Sequence, residues 1–316
     1  MKCFEHGMMM TMQRFVPGWI GCWLILLAGL WPSMGMAQSE SRTDRIVFFA
    51  LGDQGTGNED QHRVARAMEQ VAARDGGVDG VLLLGDNFYP DGVASVQDPQ
   101  WQTKFETVYA GPMLAKVPFY ATLGNHDVRT NGEAQIDYAR QRLGSKRWHM
   151  EGHHYFLDQG RTSGGQPLLR LVILDGQEKV KRQEAFVHQA FSGTGVRPVW
   201  RWVASHYPLR SSGEHGNSKK LLKRLLPALQ SQRVDLHLSG HDHHLEVLQP
   251  PGEPLMVVSG GGGQRLYSLG EKSEWSKFFA ERFGFARIAA TVATLAVTMF
   301  DDQGAVLHQT ILNAIP

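Results

Sequence analysis

Residues 81–89 read VLLLGDNFY, an apolar run that ends in a glycine, a carboxylate and a phenol. The run itself, Val81–Leu84, has the length and composition of a buried strand. Gly85 suits a tight turn directly off that strand, so Asp86 and Tyr89 would stand at its carboxyl end. Ligands of open α/β sheets bind beyond the carboxyl ends of the strands. This stretch therefore predicts both a sheet and a site at its edge.

Four other strand-like runs end in the same way. Arg45–Leu51 runs into Gly52-Asp53, Phe119–Leu123 into Gly124-Asn125-His126-Asp127, Trp200–Ser205 into His206, and Leu236–Ser239 into Gly240-His241-Asp242-His243. Each motif alone is weak, since Gly-Asp and Asn-His are common in turns. A period-two strand end can nevertheless put both histidines of His-x-His on one side. Five such ends are hard to explain by packing, so we expect the side chains to converge on one cleft.

The rest of the chain divides into two parts. Helices are predicted at Asp60–Arg74, Pro99–Ala110 and Ser218–Gln230, with further strands at Leu168–Leu174 and Val234–Leu238. Alternating strands and helices indicate a largely parallel sheet. After Gly240 short strands follow one another, which predicts antiparallel pairing in a second sheet packed on the first. They are Leu245–Leu248, Leu255–Val258, Phe285–Ala293, Leu295–Phe300 and Ala305–Leu312.

Taken together, the five blocks resemble those of calcineurin-like metallophosphoesterases. The blocks are GDQG (52–55), GDNFY (85–89), GNHD (124–127), VASH (203–206) and GHDH (240–243). Tyr89 narrows the resemblance to the purple acid phosphatases, and GDNFYPDGV, SHYPL, GEHG and GHDHHLEVLQ are similar to the small tartrate-resistant acid phosphatase type. The resemblance covers about residues 45–312. It implies an α/β fold in which two mixed β-sheets pack face to face and are flanked by helices, a four-layer α/β/β/α sandwich.

The resemblance also implies roles for the matched residues. Ligands of Fe³⁺ would be Asp53, Tyr89 and His243. Ligands of a divalent ion, Fe²⁺, Zn²⁺ or Mn²⁺, would be Asn125, His206 and His241, with Asp86 bridging the two ions. Catalytic residues near the substrate phosphate would be His126, Glu214 and His215. The ligand chemistry is consistent, because a phenol with a pKa near ~10 binds as phenolate at low pH only beside a strongly charged cation.

The implied activity is that of an acid phosphatase, which hydrolyses phosphate monoesters with a metal-bound hydroxide as nucleophile. A phosphodiesterase on the same site and an iron-dependent redox activity that generates reactive oxygen species are alternatives. A non-catalytic binder is disfavoured, since all seven candidate ligands are present. Without residues 1–37 the chain has equal numbers of basic and acidic side chains, so charge gives no reason to expect nucleic acid. We expect a small phosphate ester as substrate and a monomer.

The first 37 residues have the pattern of a signal peptide. Lys2 and Arg14 precede an apolar run, Trp19–Trp31, and Gly35–Ala37 forms a cleavage site before Gln38. The run is short against the roughly 20 residues that span a bilayer, although an uncleaved anchor stays an alternative. We therefore expect a signal peptide (1–37), a leader (38–44) and a catalytic domain (45–316). The mature protein would be secreted or periplasmic, with no stable membrane association.

Three further features complete the sequence-based expectations. Both cysteines, Cys3 and Cys22, lie in the signal segment, so the mature chain would lack disulfides. Gly260–Gly263 lacks the Lys-Ser/Thr of a phosphate loop and predicts a flexible turn. Gly144–His154 contains three histidines and predicts a solvated loop, with contact to substrate as the alternative.

Overall fold

The computed structural model describes residues 44–192, 195–268 and 270–314, which fall within one compact unit, Ser41–Pro316. Among these residues, no helix has both the length and the apolar character needed to cross a membrane. The expected signal peptide, 1–37, and nearly all of the expected leader, 38–44, lie outside the described residues.

The described residues form fourteen strands and four α-helices. The strands are β1 (Arg45–Leu51), β2 (Gly80–Leu83), β3 (Phe119–Ala121), β4 (Trp148–His149), β5 (His154–Arg161), β6 (Pro167–Leu174), β7 (Trp200–Ser205), β8 (Leu236–Ser239), β9 (Leu245–Leu248), β10 (Leu255–Ser259), β11 (Ser276–Ala280), β12 (Gly284–Thr291), β13 (Thr294–Asp301) and β14 (Val306–Asn313). The helices are α1 (Glu59–Arg74), α2 (Glu133–Arg140), α3 (Val180–Phe191) and α4 (Lys219–Ser231). A π-helical turn, Gln102–Glu106, and a 3-10 turn, Leu114–Lys116, lie between β2 and β3.

Two mixed sheets of seven strands each carry the fold. The first has the order β14-β13-β12-β1-β2-β3-β4, with β1 to β4 parallel and β12 to β14 antiparallel to their neighbours. The second has the order β11-β9-β10-β8-β7-β6-β5, with a parallel centre from β10 to β6. The predicted α/β class with two mixed sheets is therefore confirmed. The prediction that the C-terminal strands form the second sheet by themselves is wrong, because β12 pairs with β1 and extends the first sheet.

The period of two along the strands sorts side chains between layers. In β6, Leu171 and Ile173 belong to the large core shared by the two sheets, whereas Val172 and Leu174 belong to a second core formed with α3 and α4. Helix α1 contributes its buried face, including Met68, to the large core. Both faces of the parallel strands are thus covered, which is why they are continuous apolar runs in the sequence.

The stretch Gly144–His154 is not the solvated loop that the sequence predicts. Trp148 is buried in β4, where its ring makes edge contacts with Trp101 and Phe105. Arg147 is also buried: its guanidinium donates to the carbonyls of Tyr109 and Leu114, and it pairs with the Glu106 carboxylate at 3.2 Å. Arg147 thus donates to backbone carbonyls in and just after the stretch Pro99–Ala110. The helix predicted for that stretch is wrong, since the only regular element there is the short π-helical turn.

Gly260–Gly263 is likewise not an open, flexible turn. All four glycines are buried, and a Cβ on any of them would collide with neighbouring backbone or side chain. A Cβ on Gly262, for example, would lie 2.3 Å from the carbonyl oxygen of Gly52, which also accepts the Gly262 N–H. These glycines allow the chain after β10 to pass directly against the turn that carries Asp53.

An ion-pair cluster around His153 predicts that the free energy of unfolding depends on pH. The His153 ring lies 2.7 Å from Asp175 and 2.8 Å from Glu133. Desolvation opposes protonation of His153, but the two carboxylates outweigh it and raise the pKa of the imidazole. A raised pKa contributes stability below about 6.5, which is lost as the pH rises through the folded-state value. We expect His153→Gln to lower the midpoint of thermal unfolding more at pH 5 than at pH 8.

The effect should be small, because the His153 side chain is 42% exposed and solvent screens it. His308→Gln provides the control, since burial lowers the pKa of His308. The fall in the unfolding midpoint that His308→Gln causes should not be larger at pH 5 than at pH 8. Equal losses at both pH values for His153→Gln would contradict the assigned ion pair.

Candidate metal centre

The carboxyl ends of five strands meet at one edge of the two sheets. Asp53, Asp86 and Asn125 follow β1, β2 and β3, while His206 and His241 follow β7 and β8. The backbone turns sharply there: φ is 60° at Asp53, 54° at Asp86 and 70° at His241. Such left-handed conformations are uncommon for residues with a side chain and cluster at functional sites. Gly124 permits a close approach of the chain to Asp86, since a Cβ there would lie 2.1 Å from Asp86 Oδ1.

Tyr89 lies at the middle of one half of this site. Its hydroxyl is 2.9 Å from Asp86 Oδ2, 3.2 Å from Asp53 Oδ1 and 3.2 Å from His243 Nε2. His243 Nε2 is in turn 3.4 Å from Asp53 Oδ1. Four potential ligand atoms from three separate strand ends and one loop thus surround a single point.

The other half of the site is built around His206. Its Nε2 lies 3.1 Å from Asn125 Oδ1 and 3.7 Å from Asp86 Oδ2, and its ring centroid is 5.0 Å from that of His241. Ligand atoms of Asp53, Asp86 and His206 all lie within 4.8 Å of one another. Asp86 therefore contacts both halves, as a bridging ligand would have to.

The backbone orients the imidazoles. His206 Nδ1 donates to the Leu84 carbonyl at 2.9 Å, and His243 Nδ1 donates to the Arg265 carbonyl at 2.8 Å. Each bond fixes the ring with its Nε2 directed at the carboxylates, which is the orientation that metal-binding histidines adopt. The Arg265 carbonyl is a partner that the sequence could not identify, because it lies on the long segment after β10.

The charge of the site requires cations. Asp53 and Asp86 are 0% and 2% exposed, yet no Lys or Arg among the described residues makes an ion pair or hydrogen bond with either. Burial, followed by the two carboxylates, raises the pKa of Tyr89 far above its ordinary value, so the phenolate is unfavourable without a cation. Burial lowers the pKa of His241 to about 2, which keeps it neutral, as a ligand must be. The donor set of carboxylates, phenol, amide and imidazoles therefore fits metal ions.

Asp127 holds two of the ligand loops together. It is buried, and its carboxylate accepts the N–H groups of Gly124, Asn87 and Phe88 and the side-chain amide of Gln135. The GNHD motif contains Asp127, but nothing in the sequence indicates that its carboxylate joins these loops. Burial and the neighbouring Asp86 raise its pKa to about 7.

His126 and His215 contact different candidate ligands: the ring of His126 lies 4.5 Å from that of Tyr89, whereas His215 lies against His241. The His126 Nδ1 donates to the Pro90 carbonyl, and its Nε2 accepts from Arg129 Nη2 at 3.2 Å. Both ring nitrogens of His126 are thus engaged by the protein, one with a carbonyl that accepts and one with a guanidinium that donates. The His215 ring instead stacks on His241, with centroids 4.2 Å apart. No hydrogen bond to its ring nitrogens occurs within the described part of the chain.

The loop that carries Glu214 and His215 is fixed from below by buried polar groups. Asp242 Oδ1 accepts the His215 N–H at 2.9 Å. Glu246 accepts from the Ser212 hydroxyl at 2.6 Å and lies 3.2 Å from His244. Glu214 itself is exposed, and its side chain contacts none of the other predicted site residues that the structure describes. The structure thus brings the seven predicted ligands together and puts both histidines beside them.

Comparisons with known proteins agree with this geometry. Residues 46–245 match the family model "Calcineurin-like phosphoesterase". The chain is 31% identical to "Purple acid phosphatase 3" of Arabidopsis thaliana, over 85% of this chain and 78% of that protein. It is 31% identical to "Tartrate-resistant acid phosphatase type 5" of Sus scrofa, over 85% of this chain and 87% of that protein.

Among solved structures, "GAP50 the anchor in the inner membrane complex of Plasmodium" is similar with a TM-score of 0.78 and 25% identity, over 86% of this chain and 90% of that one. The family match covers more than half of the chain, and the curated relatives are matched over most of their length. The resemblance noted in the sequence is confirmed. The chain belongs to the purple acid phosphatases of the calcineurin-like phosphoesterase family and is a metal-dependent phosphoesterase.

Proposed function

We propose that the protein is an acid phosphatase that hydrolyses phosphate monoesters at a centre of Fe³⁺ and a divalent ion. The observation that carries this proposal is the position of the Tyr89 phenol, within 3.2 Å of Asp53, Asp86 and His243. A buried phenol between two carboxylates favours a trivalent cation, because only a high charge stabilises three anionic oxygens together.

Each predicted ligand has a proposed role in this centre. Asp53, Tyr89 and His243 would hold Fe³⁺, Asn125, His206 and His241 would hold Fe²⁺, Zn²⁺ or Mn²⁺, and Asp86 would bridge. When bound, the two cations supply positive charge for the phosphate and activate a water molecule as nucleophile. The contact of Asp86 with both halves of the site supports the bridging role.

The residues around the centre would divide the remaining work. His126 and Arg129, joined by a hydrogen bond, would form the phosphate-binding group beside Tyr89, with Arg129 donating to the phosphate oxygens and His126 holding the guanidinium in place. His215, whose ring nitrogens make no hydrogen bond within the described residues, would donate a proton to the leaving oxygen. Glu214 would act as an alternative donor or orient His215.

Tyr89→Phe tests the metal assignment with a readout other than activity. Phenolate bound to Fe³⁺ absorbs visible light, so the oxidised wild type should be purple or pink. We expect Tyr89→Phe to lose this colour while iron content persists, and to alter hydrolysis less than colour. The measurements are metal analysis, a visible spectrum and p-nitrophenyl phosphate turnover at acidic and alkaline pH.

Tyr267→Phe is the matched control, because the Tyr267 ring stacks on His243 at 4.0 Å without contributing a ligand. It should keep the colour. A colourless wild type that is fully loaded with iron would refute the Fe³⁺ phenolate, and an alkaline activity optimum would count against an acid phosphatase. Turnover of bis(p-nitrophenyl) phosphate in preference to the monoester would favour the diesterase alternative, and peroxide-dependent oxidation would favour the redox one.

We also propose that the protein is exported. The proposal rests on the signal-like residues 1–37, and it assigns 38–44 to a leader and 45–316 to the catalytic domain of a secreted or periplasmic monomer. N-terminal sequencing of the protein from culture medium or periplasm should begin at Gln38. A start within residues 1–14 would instead indicate the retained anchor.

A further inference from the structure

A cavity of about 320 Å³ opens beside the centre, on the side of His215 and His241. The stacked rings of these two histidines form its wall toward the candidate ligands. Its other walls come from the segment after β7 and from the first residues of α3 and α4. The cavity is therefore next to the position from which a leaving group would depart.

The walls of this cavity are largely apolar. Val180, the first residue of α3, and Leu221, in the first turn of α4, are 4% and 6% exposed. The Tyr207 ring stands against His241 at 4.6 Å, with its hydroxyl 3.2 Å from Gln177 Oε1. The volume lies at the lower end of the range for ligand pockets. Such a space suits one compact, ring-sized apolar group.

The rim of the cavity carries a lysine, Lys220, at the beginning of α4. The N-terminus of a helix carries partial positive charge and normally attracts acidic side chains to the first turn. Neither α3 nor α4 has an acidic residue there; Lys179 precedes α3, and α4 begins with Lys219 and Lys220. Helix stability therefore does not explain these lysines.

Lys220 lines the cavity and is available to a ligand. It is exposed, and it makes no ion pair or hydrogen bond within the part of the chain that the structure describes. The nearest acidic residue along α3 is Glu178, which is paired with Arg182 at 2.6 Å. An anion at the rim would find one free ammonium and two helix N-termini.

A second cavity, beside Tyr89 and His126, differs in both size and chemistry. It measures about 230 Å³ and is lined by Tyr89, His126, His243, Arg265 and Tyr267, among others. These polar groups suit phosphate oxygens rather than an apolar group. The two cavities thus border different candidate ligands, His241 for the apolar one and Tyr89 and His243 for the polar one.

We infer, building on the proposed phosphatase function, that the larger cavity holds the leaving group. The preferred substrates are phosphate monoesters of a compact, ring-sized apolar alcohol or phenol that carries a second negative charge. The ring would lie between Val180, Leu221 and Tyr207, and the second charge would face Lys220. These residues act on specificity and do not enter the chemical step.

Substitution of Lys220 tests the charge preference. Kinetics of the purified, metal-loaded enzyme would be compared for phenyl phosphate, its carboxylate-substituted analogue and ethyl phosphate. We expect Lys220→Gln to lower kcat/KM for the carboxylated ester about 3- to 5-fold, the range for an exposed ion pair, and to leave phenyl phosphate unchanged. The control is Lys223→Gln, an exposed position further along α4 that does not line the cavity.

Filling the cavity tests the apolar preference. Val180→Phe should lower kcat/KM for both aryl esters about tenfold or more relative to ethyl phosphate, since a few methylene-sized groups decide binding in such pockets. An unchanged inhibition constant for inorganic phosphate would show that the variant is folded and its centre intact.

The outcomes separate the two proposals. If the wild type hydrolyses none of the three esters, the proposed phosphatase function fails and the leaving-group assignment fails with it. If it hydrolyses all three, but Lys220→Gln affects the two aryl esters equally or Val180→Phe affects aryl and ethyl esters equally, the cavity does not hold the leaving group. In that case the phosphatase function stands.

Discussion

Replacing Asp86 by Asn should abolish hydrolysis and, in the absence of metal, make the protein more stable. Asp86 and Asp53 are buried side by side, with the Tyr89 hydroxyl donating between them, and no Lys or Arg of the described residues pairs with either. Removal of one charge relieves their repulsion in the metal-free protein. The same change removes the one carboxylate that contacts both halves of the centre. Since metal ions contribute several kcal/mol to such reactions, kcat/KM should fall by about 10³-fold or more.

Thermal unfolding with and without metal measures both effects. A ligand present at 100 times its Kd stabilises the folded protein by about 2.7 kcal/mol, so the wild type should gain markedly on metal addition and Asp86→Asn should gain little. Asp137→Asn, at an exposed ion pair on α2, is the matched control and should behave like the wild type. If Asp86→Asn is less stable than the wild type after a chelator has removed the metal from both, Asp86 stabilises the fold itself and does not serve mainly as a metal ligand.

The strands that carry the site could be predicted because their signals are local. In β1, β7 and β8 a buried run is followed by a ligand-type residue, directly in β7 and after one glycine in β1 and β8, and both faces of these strands are covered by other layers. Nothing beyond the run and its last residues is needed to interpret such a segment. The convergence of the strand ends then follows from the parallel arrangement.

Elements held by distant polar contacts could not be predicted. Helix α2 has a buried Gln135, which binds Asp127 and Asn87, in a place where periodicity would require an apolar residue. Arginine is usually a surface residue, so the sequence gives no sign that Arg147 is buried. Its burial is possible because its guanidinium donates to carbonyls about 40 positions earlier in the chain. In both cases a polar side chain replaces the apolar signal on which sequence patterns rely.

The site shows the same division. The seven ligands are recognisable by residue type and spacing, whereas the groups that orient them are backbone atoms or distant side chains. The Arg265 carbonyl that fixes His243 and the Asp242 carboxylate that fixes the loop of His215 belong to this second group. Every residue has a backbone carbonyl, so the sequence does not indicate that the carbonyl of Arg265 is the one that binds His243; only the fold identifies it.

The fall in rate caused by replacing His215 should depend strongly on the leaving group of the substrate. The sequence left His126, Glu214 and His215 as candidates for the proton donor, and the hydrogen bonds now distinguish the two histidines. His126 has one nitrogen on the Pro90 carbonyl and the other on Arg129, so it has no free proton to give. His215 stacks on His241 beside the larger cavity with its ring nitrogens unengaged. We therefore expect His215 to protonate the leaving oxygen.

General-acid catalysis is worth about 10²–10⁴ in rate where the leaving group needs a proton. His215→Ala should therefore lower kcat by about that factor for alkyl phosphates and far less for p-nitrophenyl phosphate, whose leaving group departs without help. His126→Ala is the paired comparison: as a phosphate-binding residue it should weaken both substrates, and inhibition by inorganic phosphate, to a similar degree. Glu214→Gln identifies the alternative donor, since it should reproduce the leaving-group dependence only if Glu214 carries the proton. Equal losses on both esters for His215→Ala would assign that histidine to phosphate binding as well, and the donor would then have to be sought outside this pair.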